Sequence, residues 1–265
     1  MTADTIIKAP VTEATKAALA KSSVPSIGTG VKAFIMVATP SYYGHNVVEQ
    51  TQALLLAQLY CYRRGVLFEM ISTIGFSIVA CARNWLVSEF LVRPEFTHLL
   101  WLDDDLCFQP DGIMKLIESD KDVIGGVYPT KHPKKASFPY KPIGDIEGNL
   151  QRSERVPTGF LLCKRDVVEA VAEQCPKFLL THDEETREVA HVFDNALIPG
   201  EGDEVGKQRI LGEDFVFTQR CIEAGFEVWA RLDIGFSHIG RYAYSGKLSQ
   251  ALEHAKGALE AYERK

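Results

Sequence analysis

The sequence predicts an α/β protein with a mostly parallel central sheet flanked by helices on both faces, because short apolar runs alternate with helical stretches over the first 130 residues. Two of those runs, "VKAFIMVATP" (31–40) and "THLLWLD" (97–103), are continuous rather than alternating. That is the pattern of strands buried on both faces. The first is stopped by Pro40 and the second by a run of aspartates.

The elements follow in order. Residues 46–64 carry Val47, Thr51, Leu55 and Leu59 at helical spacing, and Gly65 closes the helix. "VLFEMIS" (66–72) is a second strand. A helix over 77–92 sets Val79, Ala82, Leu86 and Phe90 on one side. "PDGIMKLIES" (110–119) places Pro and Asp in the first turn of a helix, where both are favoured. "DVIGGVY" (122–128) is a further strand. Beyond it, "ASFPYKPI" and "RVPTGFLLC" read as short strands, a helix starts near 165, and 181–209 is charged and loop-like, a candidate lid on the acceptor side. A helix over 213–224 with Gly225 at its end leads to a strand at Trp229 and a last strand around "GFSHIG". Residues 243–265 close the chain with an amphipathic helix carrying Leu248, Leu252, Leu259 and Tyr262. Residues 1–30 are polar and rich in Ala, Ser and Thr, a flexible extension before a domain spanning 31–242.

Composition narrows the function. A chain of 265 residues, 46% hydrophobic, buries a large core. Its net charge of −6 provides no general attraction to nucleic acid or anionic membrane. The basic stretch from Lys131 to Lys135 ("KHPKK") is a local exception, read as a solvated, proline-stiffened loop or as a grip on an anionic acceptor. The six cysteines contain no CxxC pair and sit mostly in apolar segments, as in a reducing compartment. With no signal-peptide pattern and no transmembrane run, the expected location is cytoplasmic.

Chemistry concentrates at "LLWLDDDL". Adjacent carboxylates at the mouth of a buried strand are costly unless a cation compensates them. In an extended segment Asp103 and Asp105 point the same way and Asp104 elsewhere. Oxygen ligands suit Mg2+ or Mn2+, and Mg2+ takes one or two carboxylates plus substrate phosphates. A solvated turn with helix-capping aspartates is the alternative. A second acidic pair, Glu213 and Asp214, opens a helix, where capping and the helix dipole alone explain it.

An apolar strand ending in Asp-x-Asp, in a chain whose first strand ends in "ATPSYYGHN", resembles the GT-A-fold glycosyltransferases. "ACARNWLVSEFL", "DVIGGVYPTK", "PTGFLLCKRDV", "LGEDFVFTQRCIEAGFEVW" and "SHIG" follow in the order of glycosyltransferase family 2 and its relatives, a match covering about 31–242. The resemblance implies a nucleotide-sugar-binding half over 31–130 and an acceptor and catalytic half over 131–242. It implies Asp105 as principal metal ligand, with Asp103 at the metal or the nucleotide ribose and Asp104 beside the donor. Thr39 and Pro40 would lie against the base, and Arg83 and Asn84 near the diphosphate or sugar. His238 resembles the third metal ligand, for Mn2+ or Mg2+, and Tyr242 and Lys247 would close over the phosphates. Asp214, with Glu213 next, resembles the base that deprotonates the acceptor hydroxyl with inversion at the sugar.

The partners implied are a nucleotide-sugar donor and a hydroxyl-bearing acceptor: a glycan, a lipid-linked or phosphate-bearing polymer, or modified DNA. A retaining enzyme on the same fold, a sugar-nucleotide nucleotidyltransferase and a non-enzymatic carbohydrate- or nucleotide-binding module are the alternatives. The nucleotidyltransferase wants a Gly-rich basic loop after the first strand, and "TPSYYGHN" has only Gly44 and no Lys or Arg.

Overall fold

The computed structural model describes residues 31–131, 137–200, 204–240 and 243–263, and the expectations for 1–30, for 132–135 of the basic stretch and for Tyr242 lie outside them. So do those for the side chains of Leu259 and Tyr262. Residues from Ala33 onward form one compact unit.

Its frame is an eight-stranded sheet. Strand β1 (Ala33–Ser41) pairs in parallel with β2 (Val66–Ile74) on one side and β3 (His98–Leu102) on the other. Helix α1 (Val48–Tyr62) connects β1 to β2, and α2 (Val79–Leu91) connects β2 to β3. After the short β4 (Leu106–Phe108) and α3 (Gly112–Glu118) comes β5 (Val123–Gly126), then the hairpin β6 (Lys141–Glu147) and β7 (Leu150–Arg155). Strand β8 (Phe160–Lys164) inserts antiparallel between β3 and β5. Helix α4 (Arg165–Gln174) follows it.

Two small hairpins come next, β9 (Lys177–His182) with β10 (Glu185–Ala190), and β11 (Ala196–Pro199) with β12 (Gln208–Leu211). Helix α5 (Glu213–Glu223) leads to β13 (Val228–Arg231), parallel to β5. The chain ends with β14 (Phe236–Ile239), β15 (Ala243–Gly246) and α6 (Leu248–Glu263). The sheet order is β2-β1-β3-β8-β5-β13-β7-β6, and all but β8 and β7 run the same way. This is the mostly parallel α/β sheet that the sequence predicts.

The continuous apolar runs feed two cores. On β1, Phe34, Met36 and Ala38 face one layer while Ala33, Ile35 and Val37 face the other. On β3, Leu99 and Trp101 alternate with Leu100 and Leu102 in the same way. Each of the larger of these side chains, such as Ile35, Met36 and Leu99, contributes about 1.5–3 kcal/mol when fully buried.

Three local expectations are corrected. In α1 the buried face is Gln50, Ala53, Leu54, Ala57 and Cys61, whereas Leu55 and Leu59 are exposed. Small residues let this helix lie close to the sheet, and Gln50 has a polar task at the strand ends. The segment 181–209 is not a loop: it holds most of two hairpins. Its first turn is made by Asp183 and Glu184, both at positive φ, in place of the usual glycine or asparagine. The charges fall on exposed faces of these strands, which hides the period of two. The third correction concerns the aspartates themselves.

Candidate functional site at the carboxyl ends of β1, β3 and β5

Parallel strands bring the carboxyl ends of β1, β3 and β5 to one edge of the sheet, and antiparallel β8 brings its amino end there. Ligands of open α/β sheets bind outside such edges. The aspartates do not continue β3 in extended form. Leu106 N donates to Asp103 O at 3.3 Å, closing a turn. Gln50, fully buried on α1, clamps that turn by donating to the carbonyls of Asp103 and, at 3.2 Å, Leu106. The three carboxylates are therefore aimed at three different partners.

Asp103 pairs with Arg83 at 2.9 Å. Asp104 accepts from Ser41 Oγ at 2.6 Å, and Ser41 Oγ in turn accepts from Gly44 N at 3.1 Å. Burial raises the Asp104 carboxyl above its ordinary range, the Ser41 bond opposes this, and the two neighbouring aspartates add to it. Asp105 faces His238 at 3.3 Å and contacts the Lys131 ammonium. Burial alone would raise Asp105, but the neighbouring His238 ring and the Lys131 ammonium outweigh it and hold the carboxyl low.

His238 reaches Asp105 by backbone pairing. Strand β14 is antiparallel to β4, with His238 opposite Leu106, and Ile239 N donates to Asp105 O at 2.8 Å. The ring is oriented by Pro129, whose carbonyl lies 2.9 Å from Nδ1. A carbonyl only accepts, so Nδ1 carries the hydrogen and a neutral ring has a lone pair at Nε2. That lone pair faces Asp105 Oδ1, which is buried and has no hydrogen-bond partner among the described residues.

Two acceptors face each other here, and a proton or a cation between them resolves the conflict. An imidazole held through its other nitrogen by a carbonyl is the usual arrangement of a metal-binding histidine. The oxygen and imidazole donors thus fit a divalent cation. Among the described residues no three His, Cys, Asp or Glu side chains gather to hold a metal. Asp103, expected beside Asp105, is instead the counter-ion of Arg83. A cation held here would take Asp105 and His238 as its protein donors, with water or a ligand's oxygens needed to complete it.

Arg83 is buried to 3% exposure on α2. Besides Asp103 it lies 3.7 Å from Glu213 and packs against the rings of Trp101 and Phe193. Its Nε and Nη1 have no hydrogen-bond partner among the described residues, and neither do the hydroxyls of Thr39 and Thr158. Thr39 is fully buried, so of the expected base-contacting pair Pro40 alone offers surface.

Asn84 is also buried. Its Nδ2 donates to Phe193 O at 3.0 Å and its Oδ1 accepts from Phe193 N at 2.7 Å. It therefore holds the chain before β11 against α2 rather than facing the cleft. Asn84→Ala leaves both Phe193 groups unpaired in the core. At about 1–3 kcal/mol for each, thermal denaturation should show the midpoint falling by about 4–24 °C.

Gly212 precedes α5, and Glu213 and Asp214 begin it. Burial and the Glu213 charge push the Asp214 carboxyl up to about 6, against the Phe215 amide it accepts from at 2.8 Å and the Arg83 charge. Asp214 thus shares one electrostatic neighbourhood with Glu213, Arg83 and Asp103.

Sequence reasoning passed over several members of this cluster. Tyr128, in "GGVYP", is buried, accepts from Gly159 N at 3.1 Å and packs edge-on against His238. Gly159 lies so close that a Cβ there would sit 2.3 Å from Tyr128 Oη and 2.5 Å from Asp103 Oδ2. Gly126 likewise leaves room for the Phe236 ring beneath His238. In the sequence Gly159 stands next to Phe160, and Gly126 two residues before Tyr128. Gly159→Ala should cost about 1–3 kcal/mol in urea denaturation and displace Tyr128 or Asp103.

The arrangement is a mixed α/β fold with a mostly parallel sheet: a parallel β1–α1–β2–α2–β3 opening, carboxylates at the end of β3, and antiparallel β8 set between β3 and β5. No protein-family model matches the sequence, and no curated protein matches it. Among solved structures, the chain is similar to a protein from STIV, at 17% identity and TM-score 0.48, over 80% of this chain and 90% of that one. It is similar also to the catalytic domain of Drosophila beta1,4galactosyltransferase 7, at 16% and 0.45, over 78% and 71%. An apo UDP-glucose pyrophosphorylase follows at 9% and 0.35, over 85% and 82%. No helix among the described residues is long and apolar enough to cross a membrane.

Proposed function

We propose that the protein is a glycosyltransferase that moves a sugar from a nucleotide-sugar donor to an acceptor hydroxyl, with inversion at the transferred carbon. The observation carrying this reading is the opposition of His238 Nε2 and the unpartnered Asp105 Oδ1 at the sheet edge, together with a buried carboxyl of raised pKa on Asp214 near Arg83 and Asp103. The order of sequence motifs supports it as well.

Asp105 and His238 would hold Mn2+ or Mg2+, which when bound supplies positive charge against the charge growing on the departing nucleoside diphosphate. Pro40 borders the place of the base. Arg83, fixed by Asp103 and Glu213, gives the donor side a buried positive charge. Asp214 acts as general base. As the acceptor oxygen bonds to the sugar carbon and the bond from that carbon to the phosphate oxygen breaks, the hydroxyl proton passes to the Asp214 carboxylate. Attack from the face opposite the leaving group inverts the configuration. The acceptor is a hydroxyl-bearing glycan or a lipid-linked or phosphate-bearing polymer.

The test is incubation with a panel of nucleotide sugars with and without Mn2+. Slow, cation-dependent hydrolysis of one donor to free sugar and nucleoside diphosphate is expected. Synthesis of a nucleotide sugar from a sugar phosphate and a nucleoside triphosphate would assign the protein to the nucleotidyltransferases instead. Binding of nucleotide without turnover of any donor would leave a binding module.

A further inference from the structure

Lys131 has no part in the scheme above, yet its ammonium contacts Asp105, the carboxylate on which the cation site depends. The two residues before it are anchored. Pro129 is tied to His238 through its carbonyl, and Thr130 N donates to Ser137 O at 2.8 Å. The Lys131 main chain is thus anchored on that side while its long side chain is free to choose among nearby anions.

We infer that Lys131 is a built-in competitor for the cation, so that the site accepts a divalent ion together with a diphosphate and not alone. The inference rests on the reading of Asp105 and His238 as the cation's ligands. In the free protein one carboxylate charge is already neutralised by an ammonium. A dication approaching that carboxylate meets a like charge in direct contact with it and finds, among the described residues, two protein donors. Mg2+ and its relatives dehydrate reluctantly for so few ligands. A diphosphate changes the balance twice. It supplies oxygens that complete the coordination, and it offers Lys131 a more highly charged partner, releasing Asp105 Oδ2. Cation and diphosphate then bind with positive coupling, and by linkage each strengthens the other equally.

The experiment measures Mn2+ binding by loss of the free-ion electron paramagnetic resonance signal, for wild type, Lys131→Met and Lys131→Arg, with and without nucleoside diphosphates (uridine, guanosine, adenosine, cytidine and thymidine). Without nucleotide, Lys131→Met should bind Mn2+ at least about tenfold tighter than wild type, and Lys131→Arg should match wild type. With a saturating nucleotide the advantage of Lys131→Met should vanish or reverse, because the diphosphate then lacks its lysine. Equal Mn2+ affinity of wild type and Lys131→Met without nucleotide overturns the competitor role, as does tight Mn2+ binding by wild type alone. If nucleotide binds but Mn2+ binds to none of the proteins under any condition, the cation site at Asp105 and His238 falls, and the competitor role with it. Circular dichroism of each variant confirms that a changed affinity is not a loss of fold.

Discussion

Asp105→Ala is expected to abolish cation-dependent binding of nucleoside diphosphates while leaving the protein folded. The turn that carries Asp105 is held by main-chain groups, Asp103 O with Leu106 N and Asp105 O with Ile239 N, and by Gln50 from α1. None of these involves the Asp105 side chain. Truncating it releases Lys131, whose side chain is exposed enough to be solvated, and leaves His238 bonded to Pro129. What disappears is the anionic donor opposite Nε2. Second-shell changes already cost about 10–100-fold in metal affinity, so loss of a carboxylate ligand should exceed about 100-fold. Calorimetry with Mn2+ and a nucleoside diphosphate measures the loss, and a thermal midpoint near that of wild type accompanies it. Undiminished Mn2+-dependent binding by Asp105→Ala would exclude this carboxylate from the site.

The second large effect belongs to Asp214→Asn. The amide keeps the shape and can still accept from Phe215 N, and it removes a charge that burial and Glu213 disfavour. Folding is therefore preserved or improved. Donor binding should be unchanged, whereas transfer should fall by about 10²–10⁴-fold, the range supplied by a positioned general base. The pH profile adds a signature. The base works ionised, and its carboxyl titrates at about 6 in the free protein. The wild-type kcat/KM should thus rise with pH through about 6 and level above it, and Asp214→Asn should lose that limb. A variant with unchanged transfer would move the base to Glu213 or the stereochemistry to retention, which the anomeric configuration of the product decides.

The parts legible in sequence were those set by local pattern. Runs such as those of β1 and β3 admit few alternatives, because Ala33–Ala38 and Leu99–Leu102 are wholly apolar and each run ends at a breaker or a charge. The exposed Leu55 and Leu59 on α1 show the limit of that logic: helical spacing defines a stripe, but which stripe faces inward depended on Gln50 reaching a turn 53 residues away. For the aspartates, spacing suggested that Asp103 and Asp105 converge. Main-chain closure of the turn and the distant partners Arg83, Ser41 and His238 separate them. Strand β4 is three residues long and carries no pattern of its own, yet its pairing with β14 is what delivers His238 to Asp105. Residues such as Tyr128 and Gly159 enter the site through packing across strands that are neighbours only in space.

The most direct measurement is an anomalous difference map, recorded at the manganese absorption edge, from crystals grown with Mn2+ and the nucleoside diphosphate that binds best. It should show one strong peak in contact with both Asp105 and His238 Nε2, with diphosphate oxygens completing the coordination and Lys131 turned to the phosphates. A diphosphate bound at the sheet edge with no manganese between these two side chains, and Lys131 still on Asp105, would contradict the account.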